Sequence, residues 1–277
     1  MNESYRRQIM NEKKLSAIEN YAIGALTGLS EVLVTNPFFV VKTKLQQNKP
    51  WLLTPAAYYK GSTVNALGFM PITAIQVGAN KWIQSKIFNN HPTYMQKVEG
   101  AFTAGVLSSF VSCPVERIMI LQNNHPNDSA SKLLSGQLNT KGFSGFFVGQ
   151  LATSLREGVF SVFFLAILPV IKSKLKSDGL DDAASSVLAG VSSGIALTLL
   201  TQPVDTIKTI QQSAVDSSLG FFKIAKNITK ATLFKGIVAR SSSLILSITL
   251  MDWVKEQLEG LCEEHGESIY HKMGFKK

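Results

Sequence analysis

Six long apolar stretches, divided by short polar ones, predict helices over about 16–47, 65–87, 97–124, 149–173, 183–213 and 235–260. The first, third and fifth each carry an interior proline with a similar left flank: Thr35-Asn36-Pro37, Ser112-Cys113-Pro114 and Thr201-Gln202-Pro203. A proline inside a helix removes one hydrogen bond and clashes one turn back, at about 3 kcal/mol or more. Three prolines at equivalent places predict three kinks drawn together at one level, closing a funnel.

Aligning the chain on these prolines reveals a repeat. Thirteen residues before each stand Gly24, Ala101 and Gly190, and nine before each stand Gly28, Gly105 and Gly194. Small residues four apart let helix backbones approach closely within a membrane. Nine residues after each proline stands an amide: Gln46, Asn123 and Gln212. Farther on come an aromatic, one residue and a glycine: Tyr59-Lys60-Gly61, Phe147-Val148-Gly149 and Phe234-Lys235-Gly236. The unit is a long helix with a proline in it, a polar loop, a glycine turn and a second helix.

Composition adjusts this picture without settling it. Apolar residues make up 45% and charged residues 17%, below the roughly 25% charge of soluble domains. A mean hydropathy of +0.13 suits membrane helices that line water, or a large soluble helical protein. The net charge of +9 fits an anionic solute or lipid surface. The basic residues are dispersed, and Lys13-Lys14 and Lys172 to Lys176 fall where helices should leave the membrane, so no nucleic-acid role is expected. Trp51, Trp82 and Trp253 fall near helix ends as interface anchors. Cys113 and Cys262 are too few for a disulfide framework. Residues 1–15 form a polar extension without the apolar core of a secretory leader, and 259–277 a charged, solvated tail.

These repeats resemble the mitochondrial carrier family, whose signature is proline, any, acid, two any, base, any, base, with an aromatic–basic–glycine triplet after the loop. The third copy keeps it best, in Pro203, Asp205, Lys208 and Gln212. The first has Pro37, Lys42, Lys44 and Gln46, with Phe39 where the acid belongs; the second has Pro114 and Glu116, with Met119 and Leu121 at the basic positions. The acid–glycine pair opening the loop helix is poorly kept, Lys141-Gly142 being its nearest trace. The resemblance covers residues 16–258, as repeats at about 16–90, 91–175 and 176–258. It implies an all-α membrane fold: six transmembrane helices in three pseudo-symmetric two-helix repeats around a central cavity, in the inner mitochondrial membrane. It further implies a monomer with no cofactor or metal, a small-molecule solute, and lipid, cardiolipin included, at the helix N-termini after the loop glycines.

The resemblance also implies that the acid of each repeat pairs with the base of the next, closing the matrix side, with the three amides as braces. Glu116 would then meet Lys208, Asp205 would meet Lys42, and the apolar pair Phe39 and Met119 would meet each other. The two departures from the signature fall at the two positions that should touch, so neither leaves a charge unpaired. A gate at the cytoplasmic end is implied on the even-numbered helices, where Asp252 faces Lys81, Lys172 and Lys255. With one acid among three bases it should close poorly. The solute contact points are implied at Gly68-Phe69, Arg156-Glu157 and Ala239-Arg240. An Arg-Glu pair at the second resembles carriers of amino acids and carnitine-like zwitterions, while a strongly basic cavity would suit an adenine nucleotide. Glu31, inside the first helix, is a candidate for solute or proton, because a charge within a membrane helix is functional by default.

Two other readings compete. His91, His125, His265 and His271 fall in loops or tail without metal-ligand spacing or a nucleophile partner, and no phosphate-binding glycine loop is present, which argues against an enzyme. A carrier-like scaffold that no longer transports would tolerate degenerate gates, but the matched change at Phe39 and Met119 opposes it. The matched pair carries a prediction. Phe39→Glu alone and Met119→Lys alone each depress uptake by reconstituted vesicles, and the double variant recovers much of it; additive losses would count against the pairing.

Overall fold

The computed structural model describes residues 17–50, 54–59, 62–89, 92–125, 127–213 and 220–272, with the side chains at 17, 18, 56, 64, 123 and 262–272 outside that description. The brace expected of Asn123, the N-terminal extension, Trp51, Lys60-Gly61, His91, and the side chains of Cys262, His265 and His271 therefore lie outside the described residues. Six long helices occur in the order α1 (Ala17–Gln46), α2 (Ser62–Lys86), α3 (Tyr94–Asn124), α4 (Gln150–Ser177), α5 (Asp182–Ser213) and α6 (Ile237–Lys272). Short helices, among them Ala130–Lys141 and Phe221–Asn227, fill the loops between α3 and α4 and between α5 and α6.

The first five helices lie within a few residues of their expected places. The sixth does not stop near 260 but runs on to Lys272, so the start of the expected tail, with His265 and His271, is helical. Lys255, Glu256, Gln257, Leu258, Glu259 and Leu261 are good helix formers, and no proline comes after them to end the run.

Among the described residues, five spans are long and apolar enough to cross a membrane: Glu19–Gln46, Tyr94–Gln122, Gln150–Ser177, Asp182–Ser213 and Lys230–Leu261. The remaining long helix, α2, has 25 residues, about 37 Å at 1.5 Å per residue. It is less apolar because it carries Asn65, Thr73, Gln76 and Asn80, all buried. Each helix packs on the next and α6 closes on α1, a ring in chain order.

The ring is polar within and apolar without. On α5, Ser193, Thr201, Gln202, Asp205, Lys208 and Gln212 are buried, while Val187, Leu188, Ile195, Leu199 and Leu200 are exposed. In water this would expose apolar surface and bury charge together; in lipid both choices are favourable.

The repeat's small residues seal each copy. A Cβ on Gly28 would lie 2.8 Å from the Phe69 carbonyl oxygen of α2, one on Gly105 2.3 Å from that of Glu157 on α4, and one on Gly194 2.9 Å from the Ile245 nitrogen of α6. All three prolines sit inside continuous helices. The turns into α4 and α6 need the left-handed backbone of Gly149 (φ 83°) and Gly236 (φ 76°). Just before each proline, a side chain ties helix to loop. Asn36 Nδ2 donates to the Tyr58 carbonyl at 2.7 Å, Cys113 Sγ to those of Phe146 and Val148 at 3.5 Å, and Gln202 Nε2 to that of Lys235 at 3.0 Å.

Helix contact through glycine predicts a sharp contrast. Gly105→Val meets backbone that cannot give way and lowers stability by about 1–3 kcal/mol, read as the midpoint of thermal unfolding in detergent. Gly136→Ala in the loop helix meets nothing within 4 Å and gains up to about 1 kcal/mol. Equal midpoints for the two variants would contradict the packing role.

Candidate functional site

Just beyond the prolines the odd-numbered helices come together pairwise. Lys42 of α1 pairs with Asp205 of α5 at 2.9 Å, and Lys208 of α5 with Glu116 of α3. Between the ends of α1 and α3, Lys49 Nζ donates to Asn124 Oδ1 at 2.7 Å. The two ion pairs are the ones expected from the sequence. Gln46 braces the first, donating to Asp205 Oδ2 at 3.0 Å and to Thr206 Oγ1 at 3.2 Å. Gln212 does something else: it donates to the Val148 carbonyl at 3.1 Å and to Cys113 Sγ at 3.6 Å, holding the loop.

For Phe39 the structure records a contact with Lys42, whose ammonium lies 5.2 Å from the ring centroid. Within about 6 Å that is a cation–π interaction. Met119 is buried. An aromatic at the acid position thus still holds the lysine one turn on, through its π face rather than a carboxylate.

The network is larger than the signature. Arg156 of α4 bonds both Glu116 and its neighbour Glu157, and its Nε lies 3.9 Å from Asp205 Oδ1. Arg240 of α6 lies 3.8 Å from Asp205 Oδ2 and donates to Thr201 Oγ1 at 2.6 Å and Gln202 Oε1 at 3.2 Å. Lys208 reaches Asp205 at 3.6 Å. Asp205, fully buried, stands among Lys42, Lys208, Arg156 and Arg240. The arginines expected to meet solute are therefore tied into the ion network just beyond the prolines.

Glu157 accepts from Gln76 of α2 at 2.8 Å and from Ser112 of α3 at 2.9 Å, so α2, α3 and α4 share it. Gly68 faces α3, where a Cβ would fall 2.3 Å from Val115 Cγ1. Close packing accounts for this glycine better than the solute contact expected of it. Glu31 is buried on α1, one oxygen accepting from Thr35 Oγ1 at 2.8 Å.

At the opposite end Lys172 of α4 bonds Asp252 at 2.8 Å and Glu256 at 2.6 Å, both on α6. The layer thus has a second acid, one turn beyond Asp252 on the same face, which corrects the expectation of one acid among three bases. Lys255 turns to Glu259 of its own helix at 3.7 Å. Among the described residues no ion pair is recorded for Lys81. The reach of Lys172 has a local cause. Pro169 has no N–H for the Leu165 carbonyl, and residues Phe163–Ile167 widen into a π turn, Leu168 N–H bonding Phe163. One extra residue per turn rotates the remainder of the helix by about 100°. Between the two charged layers, Val77, Phe164, Leu168, Ile248 and Met251 form an apolar cluster from α2, α4 and α6, completed by Leu197 of α5.

A sequence model described as "Mitochondrial carrier protein" matches residues 90–179 and 181–265, the second and third repeats. Among curated relatives, a "Probable mitochondrial 2-oxodicarboxylate carrier" of Dictyostelium discoideum is 27% identical over 80% of this chain and 83% of its own. A mitochondrial arginine transporter of Arabidopsis thaliana is 27% identical over 80% and 85%. A mitochondrial carnitine carrier of Saccharomyces cerevisiae is 25% identical over 71% and 72%. By their names these relatives carry a 2-oxodicarboxylate, arginine and carnitine.

The setting of Asp205 predicts a failed rescue. Asp205→Lys abolishes uptake, and adding Lys42→Asp does not restore it, because Lys208, Arg156 and Arg240 would then surround a new cation. Breaking a buried pair costs about 3–5 kcal/mol, so uptake by vesicles should fall below about a tenth of wild type in both variants. Recovery in the double variant would mean that Lys42 alone sets the charge at Asp205.

Proposed function

Because the chain belongs to the mitochondrial carrier family, a family of multi-pass carriers of small solutes in a mitochondrial membrane, we propose that it moves a small zwitterion, an amino acid or carnitine-like compound, across the inner membrane by alternating access. One observation carries this reading: Arg156, beside Glu157, is bonded to Glu116 of the proline-level closure. A carboxylate engaging Arg156 competes with Glu116 for the same guanidinium, so binding and opening share one group. Arginine is suited to this because its planar fork can hold a carboxylate through two parallel bonds. Arg240, bonded to Thr201 and Gln202 just before Pro203, gives the solute a second cation at the same level.

The adenine-nucleotide alternative needs spare positive charge from Lys81 and Lys172; Lys172 is held by Asp252 and Glu256, which leaves Lys81 alone to supply it. The non-transporting scaffold has little use for a buried ion network that joins α1, α3, α4, α5 and α6 just beyond the prolines. Burying so many charges is expensive unless they serve a passage.

Purified protein in liposomes should take up amino acids or carnitines in preference to dicarboxylates and nucleotides. Arg156→Gln should reduce that uptake below about a tenth, the loss of one charged contact worth roughly 1.4 kcal/mol or more. Preferential uptake of ATP or ADP, or full uptake by Arg156→Gln, would refute the proposal.

A further inference from the structure

Among the described residues, the buried polar atoms without a hydrogen-bond partner include an acceptor, Oε2 of Glu31 on α1, and a donor, Nε of Arg156 on α4; Asp205 Oδ1 and Gln76 Oε1 are others. Glu31 is 4% exposed. Its Oε1 is occupied by Thr35, which also donates to the Glu31 carbonyl at 3.1 Å. Gly28 lies on Phe69 of α2, and Asn36 accepts from Asn65 at 3.0 Å. Glu31, between them on α1, is therefore level with the Gly68 layer. The charged groups acting on it are Arg156 and Glu157 of α4, and the hydroxyl of Ser247 on α6 is a hydrogen-bonding neighbour of its carboxylate, although that hydroxyl also donates to Met251 Sδ at 3.5 Å.

Glu157 is not the open acceptor, since Gln76, Ser112 and Arg156 occupy its two oxygens. Nor does Arg156 Nε have a close acceptor, Asp205 Oδ1 at 3.9 Å being an ion-pair neighbour beyond hydrogen-bond reach. Lys42, Lys208, Arg156 and Arg240 are four bases in the network, against three acids in Glu116, Glu157 and Asp205. An ionised Glu31 makes the count even, which suits a solute without net charge.

We infer that Glu31 Oε2 and Arg156 Nε are the two ends of the solute site, and that the solute is a zwitterion whose cation bears N–H, as an amino acid's does. The inference rests on the zwitterion-carrier reading and narrows it. A desolvated acceptor gains from a donor and loses without one. A primary ammonium offers three donors; a trimethylammonium group offers none. The site therefore discriminates against carnitine-like solutes by leaving Glu31 unsatisfied.

Matched series test this: amino acids, the N-trimethyl betaines of the same skeletons and their desamino carboxylates, each assayed for uptake by liposomes and for thermal stabilisation in detergent. Wild type should take up and be stabilised by amino acids, with betaines and desamino acids at least about tenfold weaker. Glu31→Gln should lose that preference and about tenfold of amino-acid uptake, while its midpoint of unfolding without solute stays near wild type. Glu31→Asp, which keeps the charge, should recover part of the uptake with a raised KM; equal loss in both variants would indicate a structural role only and overturn the inference. Equal uptake of betaine and amino acid by wild type would overturn it while leaving the carrier reading intact. So would desamino-carboxylate uptake that is driven by a pH gradient and lost in Glu31→Gln, since Oε2 would then hold a proton. Uptake of no member of the series would overturn both readings.

Discussion

The constraint behind this architecture is the cost of an unpaired charge inside a membrane bundle. Desolvating one ion costs several kcal/mol even after relaxation, and here bases and acids gather at a single level. Asp205 is the hub: it accepts the charge of Lys42 and neighbours Lys208, Arg156 and Arg240, side chains from α1, α4, α5 and α6. Glu116 extends the same web to α3. Helices that must all reach one carboxylate have little freedom in how they cross. The glycines of α1, α3 and α5 then let each lie close enough to its repeat partner for short polar side chains to meet.

A network joined in this way makes the arginines of α4 and α6 and the proline-level ion pairs interdependent. Were the arginines of α4 and α6 separate from the proline-level pairs, a bound anion would add affinity without altering the closure. Because Arg156 holds Glu116 and Glu157, any new acceptor on that guanidinium weakens bonds that hold α3 to α4. A ligand shifts an equilibrium only by its differential interaction with the two states. Sharing one side chain is a direct way to create such a difference.

The sequence made the frame legible because its repeat is periodic. Prolines, small residues and loop glycines recur at fixed offsets, and each has one dominant physical use. The Lys42–Asp205 and Glu116–Lys208 pairs were readable only through the resemblance to the carrier family, which implies that the acid of each repeat meets the base of the next. What was not readable depends on how helices are rotated against one another. Arg156 reaching Glu116, and Gly68 packing on Val115, are set by the α3 interfaces with α4 and α2, which no offset encodes. The π turn before Pro169 moved Lys172 onto Glu256 as well as Asp252, and a gain of one residue per turn leaves no mark in a repeat counted from the first proline. The anchors Asn36, Cys113 and Gln202 were the missed opportunity. They share a position next to three aligned prolines, yet an amide and a thiol look unrelated until each is seen donating to a loop carbonyl.

The charged layers at the two ends of the interior are held by different physics. At the proline level the partners are almost wholly buried: the side chains of Lys208 and Glu116 are 2% and 5% exposed. Separating them leaves ions in a poor solvent unless water or solute enters as they part. At the other end Lys172 shares itself between a buried Asp252 and a Glu256 that is 48% exposed, and solvent-facing pairs contribute only about 0–1 kcal/mol. The apolar cluster of Val77, Leu168, Ile248 and Met251 beneath that bridge closes by excluding water, without directional bonds to break. The bridge end therefore parts at lower electrostatic cost than the proline end.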